Sequence, residues 1–341
     1  MSGPTAGSAA EGSVPAAPPA VPAVPAWSVP LADPDVVRVP GGWIAYGTGP
    51  VEDGRAVPAA FSRDLVTWEG IGPVLEALAP EAGESYWAPE VCERDGAWWM
   101  YYSVGHGDRG HLIRVARAEV PQGPFRDQGL VLTPHERFAI DASPCRLPDG
   151  RWWLWFARDV LDHERPGTHL AGAELLTPTT LGPVHEVLAP YADWQVFAHD
   201  REMYGQVLDW HTLEGPHAVL AGERLLLTFS GGSWQGPGYR TAWAWASAPE
   251  GPWTVPPAGE DVLLATDAEL VGPGHDSCTV GPDGAAVIAF HAWDTAGTAR
   301  FMHLRELDVD PVGPGLRVGG PVGGAAGGAG EARGAPAGAA G

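Results

Sequence analysis

The 341-residue chain has no stretch of 18 uninterrupted apolar residues, so nothing in it reads as a membrane-spanning helix. Hardly any segment keeps a 3.6-residue apolar period over three turns, which argues against a helical fold. Cysteine is scarce: Cys92, Cys145 and Cys278 cannot all pair and are spaced too widely for a metal cluster, so inert buried thiols are expected. Positive charge is also short, with 20 Lys and Arg against 42 Asp and Glu and a formal charge of −22. Such a field repels phosphate backbones and acidic polysaccharides, so nucleic acid and membrane are excluded as partners and a neutral substrate is favoured.

The two ends lack what a core needs. Residues 1–26 are almost entirely Ala, Pro, Gly, Ser and Val without an aromatic, and 319–341 are mostly Gly and Ala. Neither segment can offset chain entropy by burial, so both are expected to be disordered, leaving 27–318 as the folded unit. The start carries no basic residues and no apolar run of signal length, because prolines interrupt it. That predicts a cytoplasmic location, with secretion as the alternative.

What is present is a repeat. Five times a Gly-anchored turn runs into an apolar or aromatic strand, as in A-P-E-V-C-E-R-D-G-A-W-W-M-Y-Y and D-A-S-P-C-R-L-P-D-G-R-W-W-L-W-F. The turn glycines, Gly42, Gly96, Gly150, Gly222 and Gly284, are 54, 54, 72 and 62 residues apart. A loose period of this size suggests propeller blades with the excess in loops. Weaker second marks, S-R-D-L-V-T-W at 62–68, P-Q-G-P-F at 121–125, L-T-P-T-T-L-G-P at 176–183 and A-P-E-G-P-W at 248–253, read as the turn before an outer strand. The predicted fold is all-β, a five-bladed β-propeller of four-stranded antiparallel blades.

Each repeat has a polar residue upstream of its glycine: Asp33, Glu90, Asp141, Glu214 and His275, at 9, 6, 9, 8 and 9 positions. Innermost strands of a propeller begin near one end of the central channel, so these residues are expected to share a cavity. Carboxylates gathered there repel one another, and desolvation adds to this, so one stays protonated beside ionised neighbours. That is what cleaving a glycosidic bond requires: one carboxyl protonates the leaving oxygen and another activates water. Most of the 16 tryptophans, including Trp98, Trp99, Trp152, Trp153 and Trp155, sit in strand patterns and read as packing. Trp87 and Trp234 lie beside motif turns instead.

The strings A-D-P-D-V (32–36), Y-W-A-P-E-V (86–91), A-I-D-A-S-P (139–144), L-E-G-P-H (213–217) and G-P-G-H-D-S (272–277) together resemble glycoside hydrolase family 43, over roughly 30–310. The resemblance implies that Asp33 is the general base, Glu214 the general acid and Asp141 the residue that tunes and orients the acid. Asp35 competes as base, but two residues along a strand it should lie deeper in the channel. The family inverts configuration, implying a base and acid roughly 6.5–9.5 Å apart. By the same resemblance Glu90 lies near the sugar subsite and Arg300 neutralises the carboxylates; Trp87 and Trp234, from their place beside motif turns, are expected to join them in binding substrate. His275 matches a channel histidine that holds a calcium ion through water in some members; no cofactor is otherwise required.

The implied substrate is a neutral pentose-containing oligosaccharide, with α-L-arabinofuranosides favoured over β-D-xylosides. A monomer or small homo-oligomer is expected. No second β-sandwich follows the propeller, so no attached carbohydrate-binding module is expected. Two other readings stand beside this one. A related fructan-hydrolysing group retains configuration, but its N-D-P-N-like context is replaced here by A-D-P-D. A non-catalytic propeller that binds carbohydrate or protein on its rim is the reading from another class. The longest interval, Gly150 to Gly222, carries Arg165, Asp193, Trp194 and His199 and either roofs the pocket or decorates the surface.

Overall fold

The computed structural model describes residues 23–222, 224–310 and 315–323. Its strands fall in sequence order into five antiparallel blades. Blade I comprises Ala32–Val39, Gly42–Thr48, Arg55–Ser62 and Trp68–Glu76. Blade II comprises Ser85–Arg94, Ala97–His106, Arg109–Ala118 and Arg126–Val131. Blade III comprises Ala139–Arg146, Trp152–Val160, Gly167–Thr177 and Thr180–Leu188. Blade IV follows with Gln206–Ala221, Arg224–Gly231, Arg240–Ala246 and Val262–Leu264, and blade V with Val271–Val280, Ala286–Trp293, Arg300–Val309 and Leu316–Pro321.

The second strand of each blade explains the aromatic runs. Successive side chains point to opposite faces, and in a propeller both faces press on a neighbouring blade. In blade II, Trp98, Met100 and Tyr102 pack with Tyr46, Val74 and Phe125 towards blade I. Tyr101 and Trp99, one residue out of phase, pack with Leu154 and Phe156 of blade III. Trp153 and Trp155 face Leu225, Leu227 and Phe229 of blade IV, Leu226 faces Ile288 and Phe290 of blade V, and Val287 and Ala289 face Trp43 and Ala45 of blade I. Five gaps, each filled by alternate residues of two blades, close the ring. Each large side chain buried this way contributes roughly 1.5–3 kcal/mol. The three cysteines are free and partly buried, and burial pushes their thiols above the ordinary value.

Every innermost strand carries the same irregularity. The ladder slips between Ala32 and Asp35, between Trp87 and Glu90, opposite Trp155 to Ala157, between Glu214 and His217 and between Gly274 and Ser277. At each slip one residue takes a left-handed φ: Asp33 at 51°, Ala88 at 42°, Asp141 at 60°, Gly215 at 55° and His275 at 52°. A bulge of this kind bends the strand and re-aims its side chains. Pro34, Pro89 and Pro216 follow at three of the slips, where no ladder N–H is required.

One element departs from the repeat. Strand Val196–Met203 forms a hairpin with the first half of Gln206–Ala221, ahead of that strand's entry into blade IV. The same half pairs in parallel with blade III, Gly167 with His211 and Thr168 with Thr212, so blades III and IV share one continuous sheet.

The terminal segments expected to be disordered lie mostly outside the described residues. Their described parts are ordered. The Ala23 N–H donates to Glu269 O and that of Ala26 to Met302 O, at 3.0 and 2.8 Å, and Leu316–Pro321 is the outer strand of blade V. Ala26, Trp27 and Val322 all pack at the seam between blades V and I. Short apolar residues gain order here by docking on an existing surface, which composition cannot reveal.

Among the described residues no strand is shared across that seam. The Ser277 hydroxyl bridges it, donating to Pro34 O at 2.9 Å and accepting from Val36 N–H at 3.1 Å. Trp43 Nε1 donates to Val280 O at 3.0 Å on the same seam. Ser277→Ala leaves a buried carbonyl and a buried N–H unpaired, so unfolding free energy should fall by about 1–3 kcal/mol. Thermal denaturation followed by circular dichroism checks this; an unchanged midpoint removes Ser277 from ring closure.

Candidate active site

The bulges bring Asp33, Asp141 and His275 to one end of the channel, with Glu214 beside them. They line a cavity of about 160 Å³ together with Thr48, Trp87, Ile140, Trp234 and Arg300. Of the eight residues to which the sequence analysis gave a catalytic, substrate-binding or metal role, seven are in this lining and Glu90 is not. It lies a tier deeper, two residues past the bulge at Ala88, where its Oε1 is 3.2 Å from His217 Nδ1. Blade II presents Ala88 where blades I and III present aspartates. Asp35 is in the same lower tier, accepting from Val91 N–H at 2.7 Å, with Ser143 Oγ 3.4 Å from His217. Burial alone would depress the His217 imidazole, but Glu90, with Asp276 and Asp35 behind it, pushes it up to about 9.

The upper carboxylates have different surroundings. Arg300 Nη1 donates to Asp33 Oδ1 at 3.0 Å, and His275 Nδ1 is 3.6 Å from the same oxygen. Burial raises the Asp33 carboxyl, yet Arg300, His275 and His291 together hold it well below the usual range. The Asp33 backbone N–H donates to His291 Nδ1 at 3.1 Å, which needs a neutral ring, and burial keeps that imidazole down to about 4. Glu214 has no cationic hydrogen-bond partner. Its Oε1 accepts from the Tyr239 hydroxyl at 2.6 Å, and burial with the neighbouring Asp141 pushes it up to about 7. Asp141 accepts from Gly215 N–H at 2.9 Å and is raised by burial to about 6. Burial alone would lower His275, but Asp33, Asp141 and Glu214 around it reverse the sign.

Two glycines make this crowding possible. Gly215 combines a φ of 55° with a close approach, a Cβ there lying 3.2 Å from the His275 ring. A Cβ on Gly274 would collide with the Tyr239 ring that reaches Glu214.

Two tryptophans flank the charged centre. Trp87 stacks on His111 with ring centroids 3.7 Å apart and 21° between planes. Trp234 lies parallel to Trp293 at 6.1 Å, and the Arg300 guanidinium sits 4.6 Å above Trp234. A flat, hydroxyl-bearing ring suits walls of this kind.

The sequence did not reveal Tyr239 or His291. Tyr239 closes a Gly-Pro-rich loop with no periodicity, and His291 sits in a second strand, where packing is the default reading. The signal for His291 was a lone imidazole inside an otherwise apolar strand, Ala286–Trp293. Arg165, Asp193 and His199 do not line this cavity but a second one beside it, and Trp194 lines neither, its ring lying against Gly231.

Among the described residues, no group of three or more His, Cys, Asp or Glu side chains is spaced to hold a metal ion. Calcium takes six to eight oxygen ligands, whereas His275 faces Asp33 and the tier below is filled by His217 and Glu90. The described side chains therefore build no direct calcium site, and His275 would reach such an ion only through water.

Two curated relatives from Streptomyces avermitilis and Streptomyces chartreusis are each named an extracellular exo-α-(1→5)-L-arabinofuranosidase. The first is 25% identical over 84% of this chain and the second 26% over 60%. The chain spans 59% and 62% of their lengths. Among solved structures, a thermostable family-43 glycoside hydrolase superposes with a TM-score of 0.73 at 25% identity, covering 89% of this chain and 95% of that one. The extracellular names overturn the expected cytoplasmic location: a missing leader pattern in this sequence does not decide the compartment. The sequence model described as "Glycosyl hydrolases family 43" matches residues 23–312, and the chain belongs to that family.

Proposed function

We propose that this protein is an inverting glycoside hydrolase that releases α-L-arabinofuranosyl units from arabinose-containing oligosaccharides outside the cell. The observation that carries the reading is the splitting of two buried carboxyls in one pocket: Asp33 held ionised by Arg300, Glu214 pushed up to about 7 beside Asp141. A pair divided in this way can act as base and acid at the same pH. The names of the Streptomyces relatives support the choice of sugar.

In this mechanism Asp33 takes a proton from a water molecule whose oxygen attacks the anomeric carbon. Glu214 gives its proton to the glycosidic oxygen as that bond breaks on the opposite face of the ring. The products are a sugar of inverted configuration and a free hydroxyl on the leaving chain. Each proton transfer contributes roughly 10²–10⁴-fold. Arg300 orients Asp33 and keeps it ionised, and the Asp141 charge keeps the proton on Glu214 until it is needed.

Asp33→Asn and Glu214→Gln should each lower kcat on an aryl α-L-arabinofuranoside by at least about 10²-fold while the thermal midpoint is retained. Full activity in either variant removes that assignment. Proton NMR of the first product should show the inverted anomer; retention would point to a covalent intermediate, and faster turnover of an aryl β-D-xyloside would reassign the sugar.

Activity requires ionised Asp33 and protonated Glu214, so it should fall as pH rises through about 7. Two variants should move this limb in opposite directions. Asp141→Asn removes a charge that disfavours ionisation of Glu214, so the limb moves to lower pH. Tyr239→Phe removes a hydrogen bond that favours the carboxylate, so it moves to higher pH. Profiles of kcat against pH that coincide with wild type would contradict both roles.

A further inference from the structure

A second cavity, of about 460 Å³, lies between blades III and IV and is lined by Arg165, Asp193, His199, Asp209 and His211, among others. We propose that it is the subsite for the leaving chain, taking the neutral sugar units beyond the bond that is cleaved. This rests on the assignment of Glu214 as the acid.

The direction follows from the ring. Asp33, the base, belongs to blade I, and in a closed ring of five the junction of blades III and IV lies across the axis from blade I. Asp141 and Glu214 stand on these two blades. The departing oxygen is protonated on the Glu214 side, so the chain attached to it leaves towards that junction. The cavity is at the same end of the propeller as the catalytic pocket. His211 lies three residues before Glu214 on one strand and pairs with Gly167, next to Arg165 and Pro166. Asp193 and Val196, also in its lining, flank Trp194, whose ring covers Gly231 beside Ser230, the ladder partner of Glu214.

The chemistry suits hydroxyl groups rather than an ion. Arg165 Nη2 pairs with Asp193 Oδ1 at 2.8 Å, and His199 Nδ1 is 3.0 Å from Asp209 Oδ1, so donors and acceptors of the wall engage one another. Arg165 Nη1 is 3.3 Å from His211 Nε2. These contacts engage only part of the five N–H donors of a guanidinium, and the carboxylates accept from sugar hydroxyls. Among the described residues no Trp, Tyr or Phe lines this cavity, so hydrogen bonds would give it specificity, in contrast to the tryptophan walls around the cleaved sugar. The residues come from the insertion and the loop facing it, outside the five-fold repeat.

The test compares kcat/KM on α-1,5-arabinotetraose with that on a small aryl α-L-arabinofuranoside. Arg165→Ala and His199→Ala should each lower the ratio of tetraose to aryl glycoside by about tenfold, the size of roughly one lost charged hydrogen bond. His199 is 72% exposed, so its variant should fold even where Arg165→Ala does not. Tetraose binding to Glu214→Gln carrying the same substitutions should weaken by a similar factor. An unchanged ratio with active enzyme overturns the subsite alone. Wild type inactive on both compounds overturns the hydrolase reading, and the subsite with it.

Discussion

One backbone distortion, repeated in all five innermost strands, carries the rest of the molecule. A regular strand would send alternate side chains into the gaps between blades and leave the channel mouth to whatever remained. The left-handed residue at each slip turns the chain so that Asp33, Asp141 and His275 reach the axis while the residues on either side still pack between blades. Non-glycine residues held in this region cost roughly 1–3 kcal/mol each. Asp and His tolerate it better than most, and the five inter-blade clusters hold it in place.

The distortion concentrates negative charge that burial then makes costly. The protein answers with two different environments. On the blade V side, an arginine and two imidazoles surround Asp33. On the blade IV side, Glu214 has a phenol and another acid. A guanidinium hydrogen-bonded to Asp33 and only a phenol hydrogen-bonded to Glu214 set two carboxyls of one pocket to opposite protonation states. Beneath them His217, 3.2 Å from Glu90, sets an imidazole among the lower carboxylates Glu90, Asp276 and Asp35.

Much of this was legible in the sequence, for physical reasons that differ by residue. Asp33, Asp141 and His275 stand nine residues before their turn glycines because each is the left-handed bulge residue of its strand and the run from bulge to turn is equally long in blades I, III and V. Blade II places its left-handed residue, Ala88, eight before Gly96, whereas the charged residue of its motif, Glu90, stands two residues further on. The proline after Ala88 was the better guide. Trp87 and Trp234 could be read from their position beside turns. Tyr239 and His291 act through contacts between distant segments, which no local pattern encodes. The excess chain between Gly150 and Gly222 announced an insertion but not where it would lie, because that depends on a parallel pairing between two blades.

The seam between blades V and I has a meaning beyond stability. The ring there is buckled rather than woven, held by side chains such as Ser277 and by docked terminal segments. Asp33 lies on one side of this buckle and His275 and Arg300 on the other. Any loosening at that point would strip the base of its counter-charges before any other part of the pocket changed, so the reactivity of the water-activating group is tied to whether the circle is shut.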